Sequence, residues 1–289
     1  MEPVVEISGH TKLTCLIGNP VEHSMSPALH NASFAKAGVD AAYVAFTVNP
    51  EQLEPVVRGL KEMGVAGYNV TMPCKTHILQ YLDELTPAAE LMGAVNTVAV
   101  KDGKCIGHNT DGAGFVENLR LKSGDVAGKK VTILGAGGAG SAIFTQLALD
   151  KVANVNVFNM KDGFWDATEK RVAVLTEKTG TPVSLHDLAD REELAASIAD
   201  SDILINATRV GMKPDVEGCL VDEEMLHDGL VVADTVYEPH ETKLIKMAKA
   251  KGLTTAPGLG MLLHQAALGE KIWFDIDMDV DYIAQRFFN

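Results

Sequence analysis

The chain has 289 residues, 46% of them hydrophobic and 22% charged, the balance of a globular protein with core enough for one large domain or two ordinary ones. A formal net charge of −14 offers no basic patch to nucleic acid or to an anionic membrane, so neither is expected as a partner.

Residues 1–6 lack the basic-then-apolar form of a signal peptide, and no apolar run reaches the roughly 20 residues that span a bilayer; a cytoplasmic protein is expected. Residues 14–20 read as a short apolar strand, followed by a loop with Ser24 and Ser26 and a helix from Ala28 to about Ala37. Ser26 suits the N-cap with Pro27 at the first helical position. Capping leaves Ser24 unexplained, and two hydroxyls beside a helix start can bind a carboxylate. Residues 42–48 alternate as a strand, 52–63 have helical spacing ended by Gly64, and 65–71 form another strand that breaks into Met72-Pro73-Cys74-Lys75. Asn69, Thr71 and Lys75 thus cluster at the carboxyl end of a strand, where open α/β sheets place ligands. Residues 94–100 and the turn at 101–104 predict a hairpin leading to Asn109-Thr110-Asp111-Gly112, which on its own reads as an Asx-type turn before a helix at 114–121.

At 131–140 an apolar run turns abruptly into Gly135-Ala136-Gly137-Gly138-Ala139-Gly140, with a helical segment at 141–148 and a second strand at 154–158. Gly135, Gly137 and Gly140 fall in the G-x-G-x-x-G register of a dinucleotide-binding βαβ unit, whose helix N-terminus attracts phosphate. Helices at 166–180, 192–199 and 243–251 then alternate with strands at 182–185, 202–208, 229–235 and 254–256, giving a doubly wound parallel sheet. A helix begins at Leu262 and another spans 280–288. The domain change is placed near Gly112, giving domains 1–112 and 113–261, with 262–289 packing back on the first. Cys15, Cys74, Cys105 and Cys219 are scattered, without a C-x-x-C pair or histidines at ligand spacing, so no metal and no disulfide framework are expected.

Ser24-Met25-Ser26-Pro27, the N-V-T-x-P-x-K run at Asn69 to Lys75, Gly93-Ala94-Val95-Asn96-Thr97, Asn109 to Gly112, the Gly135 to Gly140 turn, Ile205-Asn206-Ala207-Thr208 and the G-L-G-M-L-L-H-Q-A run at 258–266 occur in one order. In these motifs the chain resembles the shikimate and quinate dehydrogenases essentially end to end, with the quinate/shikimate branch nearest. The resemblance implies a two-domain α/β oxidoreductase, with an N-terminal substrate domain and a Rossmann-type dinucleotide domain. It would interconvert shikimate with 3-dehydroshikimate, and quinate with 3-dehydroquinate, in a cleft between the domains. Ser24 and Ser26 would hold the substrate carboxylate with Tyr237 close to it, and Thr71, Asn96 and Gln265 would bind ring hydroxyls. Lys75 and Asp111 would flank the hydroxyl that becomes a ketone. Removing hydride from a secondary alcohol requires a group to accept the hydroxyl proton. Burial would lower the lysine pKa and a neighbouring Asp111 would raise it, so general base and oxyanion stabiliser both stay open for Lys75.

NADP-specific members of the family usually carry an arginine after the asparagine that ends the second strand; here Met160 stands in its place and Asp162 follows. An aspartate accepts bonds from a free ribose hydroxyl and repels a phosphate, while Lys161 keeps some cationic character. NAD is therefore the expected cofactor, with NADP use left open. Asn159, Lys161, Asp162, Phe164, Thr208, Val236, Gly258 and Met261 are expected to join the glycine turn in contacting it. The alternatives are an NADP-specific biosynthetic enzyme, a folate-type dehydrogenase, against which the paired serines and Gln265 argue, and a noncatalytic NAD-binding sensor on the same fold. A homodimer is compatible with the resemblance, though no residue selects an oligomeric state.

Overall fold

Apolar runs that end in glycine or polar residues pair here into two separate six-stranded sheets. The computed structural model describes residues 6–288; Met1 to Val5, which carry most of the signal-peptide expectation, and Asn289 lie outside the described residues. The chain divides into two units, one running to Thr110 and resuming at Gln265, the other comprising Asp111–His264.

The first unit contains β1 (Lys12–Gly18), α1 (Ser26–Ala37), β2 (Ala41–Thr47), α2 (Leu53–Glu62), β3 (Gly67–Val70), β4 (Glu84–Leu85), α3 (Pro87–Met92), β5 (Thr97–Lys101) and β6 (Lys104–His108). Its sheet order is β2-β1-β3-β5-β6-β4. β1 runs parallel to both β2 and β3, and β5 is antiparallel to β3 and β6. One face buries Cys15, Ile17, Leu53, Val57, Tyr68 and Ile78, while Leu16, Phe34 and Tyr43 pack with Trp273 and Phe274 on another.

The second unit contains most of α4 (Thr110–Ser123), then β7 (Lys130–Leu134), α5 (Gly138–Leu149), β8 (Asn154–Asn159), α6 (Trp165–Thr179), β9 (Val183–Asp187), α7 (Arg191–Ala199), β10 (Ile203–Asn206), β11 (Val231–Asp234), α8 (Lys243–Ala250) and β12 (Thr255–Ala256). The order β12-β11-β10-β7-β8-β9, parallel throughout, reverses beside β7, the switch point at which such sheets bind ligands. Helix α9 (Leu259–Phe274) leads back into the first unit, where α10 (Val280–Phe288) packs on α1.

Three local expectations are corrected. Ser26 is the first residue of α1 rather than its N-cap, and the Ser24 hydroxyl, not that of Ser26, accepts the free amide of Ser26 at 3.2 Å. The N-cap is Met25, which makes no side-chain cap bond, so the Ser24 contact is an i→i+2 turn bond to the first helical amide. Helix α4 starts at Thr110 instead of Gly114, because the Asn96 side chain, just before β5, accepts the Thr110 N–H at 2.7 Å. Helix α9 starts at Leu259 instead of Leu262, its glycines serving close packing rather than a turn. The elements between 76 and 92 carry too little periodicity to be read in advance.

Gly112 fixes α4 against α5: a Cβ there would stand 2.2 Å from the Ala142 carbonyl oxygen. Gly112→Ala is expected to cost about 1–3 kcal/mol and lower the thermal midpoint by roughly 2–10 °C. Gly59→Ala, in α2 with nothing within 4 Å of the added carbon, should instead stabilise by about 0.5–1 kcal/mol. Calorimetry of both variants checks the pair; equal effects would refute the packing account of Gly112.

Candidate active site

In the first unit, backbone pairing ties the turn after β3 to its neighbours. The Thr71 N–H donates to Ile17 O at 2.9 Å, the Asn19 N–H to Met72 O at 3.0 Å, and the Val95 N–H to Lys75 O at 2.9 Å. Thr71 and Lys75, both half-buried, are thereby held from two sides at the carboxyl ends of the strands. Asn31 joins the start of α1 to β2, donating to Pro27 O at 2.7 Å and Tyr43 O at 2.8 Å. This fixes the segment that carries Ser24 and Ser26.

Behind these groups runs a buried polar strut. The Tyr43 hydroxyl donates to Asn69 Oδ1 at 2.7 Å, and the Asn69 amide donates to Asn96 O at 3.1 Å and Thr97 Oγ1 at 2.9 Å. Burial pushes the pKa of the Tyr43 phenol well above its ordinary value, so Tyr43 stays a donor. Asn96 is only 3% exposed, and its amide donates to Thr110 Oγ1 at 2.9 Å. Gln265 is half-buried on α9. That helix is anchored to α1 by Glu270, whose carboxylate meets His30 Nδ1 at 2.7 Å and accepts the Ser33 hydroxyl at 2.6 Å, with His30 stacked on Tyr43 at 4.4 Å. Tyr43, His30 and Glu270 escaped the sequence reading; no local signal joins side chains 240 residues apart.

In the second unit the glycine turn divides its labour. Gly135 has φ +99°, and a Cβ on it would press on Thr208 at 2.8 Å; at Gly140 a Cβ would stand 2.1 Å from Gly135 O. At Gly137 and Gly138 a Cβ would meet nothing within 4 Å. The helix is thus drawn tightly to the strand while the backbone between stays open, the arrangement a pyrophosphate needs. The Ala136 N–H donates to Asn159 Oδ1 at 3.0 Å, which locks the turn to the end of β8.

Gly135, Gly137, Gly138 and Asn159 floor a cavity of about 600 Å³ that is also lined by Ala139, Asp162, Thr208, Val236 and Tyr237, while Ala136 lines a smaller neighbouring pocket and Gly140 lines neither. Arg209, Met212 and Lys213 line it as well, three side chains not among the expected contacts. The Asp162 carboxylate accepts the Phe164 N–H at 2.9 Å. Phe164 lines the smaller pocket rather than this cavity. Lys161 lies outside the lining of both, drawn 3.3 Å from Asp187 and over the Trp165 ring. Gly258 and Met261 do not line it either; Gly258 is required because a Cβ would stand 2.5 Å from the Thr235 and Val236 carbonyl oxygens. Asp111 occupies the first turn of α4, beside the Gly112 contact with α5. Among the described residues, no three His, Cys, Asp or Glu side chains converge to hold a metal ion, and no helix is long and apolar enough to cross a membrane.

A family model described as the shikimate dehydrogenase substrate binding domain matches residues 16–98, and one described as the shikimate 5'-dehydrogenase C-terminal domain matches residues 258–286. A protein of Streptococcus uberis named shikimate dehydrogenase (NADP(+)) is 50% identical over 287 residues, covering 98% of this chain and 97% of its own. The chain belongs to the shikimate dehydrogenase family. It is an oxidoreductase acting on a CH–OH group. Shikimate 5-dehydrogenase from Listeria monocytogenes, solved in complex with shikimate and NAD, is 47% identical with a TM-score of 0.95 over 98% of both chains. Quinate dehydrogenase from Corynebacterium glutamicum, solved with NAD, is more distant, at 30% identity and a TM-score of 0.85 over 96% of this chain and 98% of that one.

Asp234 holds the loop that brings Val236 to the cavity. Fully buried, it accepts the Val236 N–H at 2.9 Å, the Asn206 amide at 3.0 Å and the Thr242 hydroxyl at 2.7 Å, and burial pushes its pKa up to about 6 against these bonds. An acid whose folded pKa is raised contributes stability that is fully present below its unfolded pKa and is lost as pH rises through the folded one. Relative to Asp234→Asn, the wild type should lose about 1 kcal/mol of stability between pH 5 and pH 7. Urea unfolding of both proteins across that range measures it, and a constant difference would refute the assignment.

Proposed function

We propose that the chain interconverts shikimate and 3-dehydroshikimate with a nicotinamide dinucleotide, favours NAD over NADP, and accepts quinate as a second substrate. The observation that carries the reading is the glycine turn, open at Gly137 and Gly138 and closed at Gly140, at the switch point of a parallel sheet. End-to-end similarity to enzymes named shikimate dehydrogenase supports the substrate. The NAD preference is supported by Met160 after Asn159 and by the Asp162 carboxylate on the cavity wall.

The dinucleotide supplies the hydride acceptor when bound. Ser24 and Ser26 offer hydroxyls at a helix start to the ring carboxylate, with Tyr237 assigned to the same group. Thr71, Asn96 and Gln265 bind ring hydroxyls, Asn96 from a side chain already held by Thr110. Lys75 takes the hydroxyl proton as the alcohol is oxidised and returns it in reduction, with Asp111 as its partner. A noncatalytic sensor on this fold would have no use for that proton-transfer pair.

Steady-state assays of shikimate and quinate, each with NAD and NADP, test the reading. Turnover of both acids with the higher kcat/KM for NAD is expected. Turnover of shikimate with NADP alone would replace the reading with a biosynthetic NADP enzyme, and no turnover at all would leave the sensor. Lys75→Ala should lower kcat by about 10²–10⁴ with little change in KM, and an effect confined to KM would remove Lys75 from proton transfer.

A further inference from the structure

A second pocket opens beside the glycine turn, between the start of α5 and helix α6. Ala136, Ser141, Asn159, Asp162, Phe164 and Arg171 line it, and it shares Gly137, Gly138, Asn159 and Asp162 with the dinucleotide cavity. Arg171 is the one basic side chain in its lining. The guanidinium donates to Ser141 Oγ at 2.8 Å, and that hydroxyl donates to Ala136 O at 3.1 Å. An arginine on α6 is therefore tethered to the glycine turn itself. One of its five donors is used in this way, and a guanidinium fork suits the paired oxygens of a phosphate monoester.

In dinucleotide folds the adenosine ribose follows the pyrophosphate toward the end of the second strand. That end is Asn159, where the two pockets meet. We propose that this pocket is a 2′-phosphate site, and that Arg171 binds the 2′-phosphate of NADP and so gives the chain use of NADP beside NAD. The inference rests on the dehydrogenase reading above and goes further by naming the residue that decides between cofactors. Lys161 does not substitute for it, being engaged with Asp187 and Trp165. Asp162 is the opposing charge, with one carboxylate oxygen already accepting the Phe164 N–H.

Calorimetric titration of the full chain with NAD, NADP, 5′-AMP and 2′,5′-ADP tests the site. The adenosine fragments read the 2′-phosphate without the nicotinamide. In the wild type 2′,5′-ADP should bind more tightly than 5′-AMP. Arg171→Gln should weaken NADP and 2′,5′-ADP about tenfold or more while NAD and 5′-AMP change less than about twofold. Arg171→Lys, which keeps the charge, should recover part of the loss, and added salt should weaken NADP binding more in the wild type than in Arg171→Gln. Unchanged NADP affinity in Arg171→Gln would overturn the site, as would equal weakening of NAD and NADP, which would mark Arg171 as a brace for Ser141. A wild type that binds 2′,5′-ADP no better than 5′-AMP would overturn the site and leave an NAD enzyme standing. A wild type that binds neither dinucleotide would overturn the site and the dehydrogenase reading together.

Discussion

The second unit depends on how closely α5 comes to the end of β7. With glycine at 140 the helix backbone rests on the Gly135 carbonyl, where any side chain would intrude to 2.1 Å. That approach points the free amides of the α5 N-terminus along the strand end, where they and the helix dipole favour a negative group. It also sets the height of α5, and with it the seat of α4, since Gly112 lets α4 descend onto the Ala142 carbonyl. Asp111, one residue earlier in that helix, takes its position from the same contacts. A second close approach, Gly260 against the Asn118 side chain, holds α4 from the other side. The cofactor turn and a proposed catalytic carboxylate thus share one chain of backbone contacts.

The first unit reaches rigidity by polar means. Tyr43, Asn69, Asn96, Thr97 and Thr110 bond to one another beneath the strand ends, all of them buried. Such a network is costly when half made and specific when complete, because each amide admits few geometries. The His30–Glu270 pair extends it to α9. A buried hydrogen-bonded pair adds little net stability over apolar residues of the same size, but removing one member strands the other. His30 Nε2 has no hydrogen-bond partner. The tautomer with its proton on Nδ1, donating to Glu270, leaves only a bare acceptor unpaired. The value of the pair lies in orientation: it fixes α9, and so Gln265, relative to the helix that begins at Ser26.

What was legible in the sequence follows from the range of each interaction. The glycine register, the alternating strands of the second sheet and the 101–104 hairpin are written within a dozen or so residues, and the fold shows them where they were read. Ser26 was expected at the N-cap, yet α1 begins at Ser26 itself with Met25 before it, because a serine just ahead of Pro27 fits either position until the helix start is known. The start of α4 was missed because its cap comes from Asn96, 14 residues earlier and on another segment. Gly258 was expected as a cofactor contact, and its packing requirement against the Thr235 and Val236 carbonyls was not legible, because it depends on a neighbouring segment that no local spacing reveals. Arg171 stood outside every motif. Its significance depends on α6 lying beside α5, which no spacing within α6 reveals.

The cofactor question shows how little separates alternatives on one scaffold. Two unit charges about 4 Å apart interact by roughly 1–4 kcal/mol between bulk water and a protein surface. A phosphate facing both Arg171 and Asp162 would feel attraction and repulsion of similar size, and a residue of about 1.4 kcal/mol between them is already a tenfold preference. The proposed substrate recognition is different in kind, since it would be spread over several neutral hydroxyls and amides whose positions the strut and the anchored helix fix in advance. Charge changes near the end of β8 can therefore exchange one cofactor for another while leaving the first unit untouched.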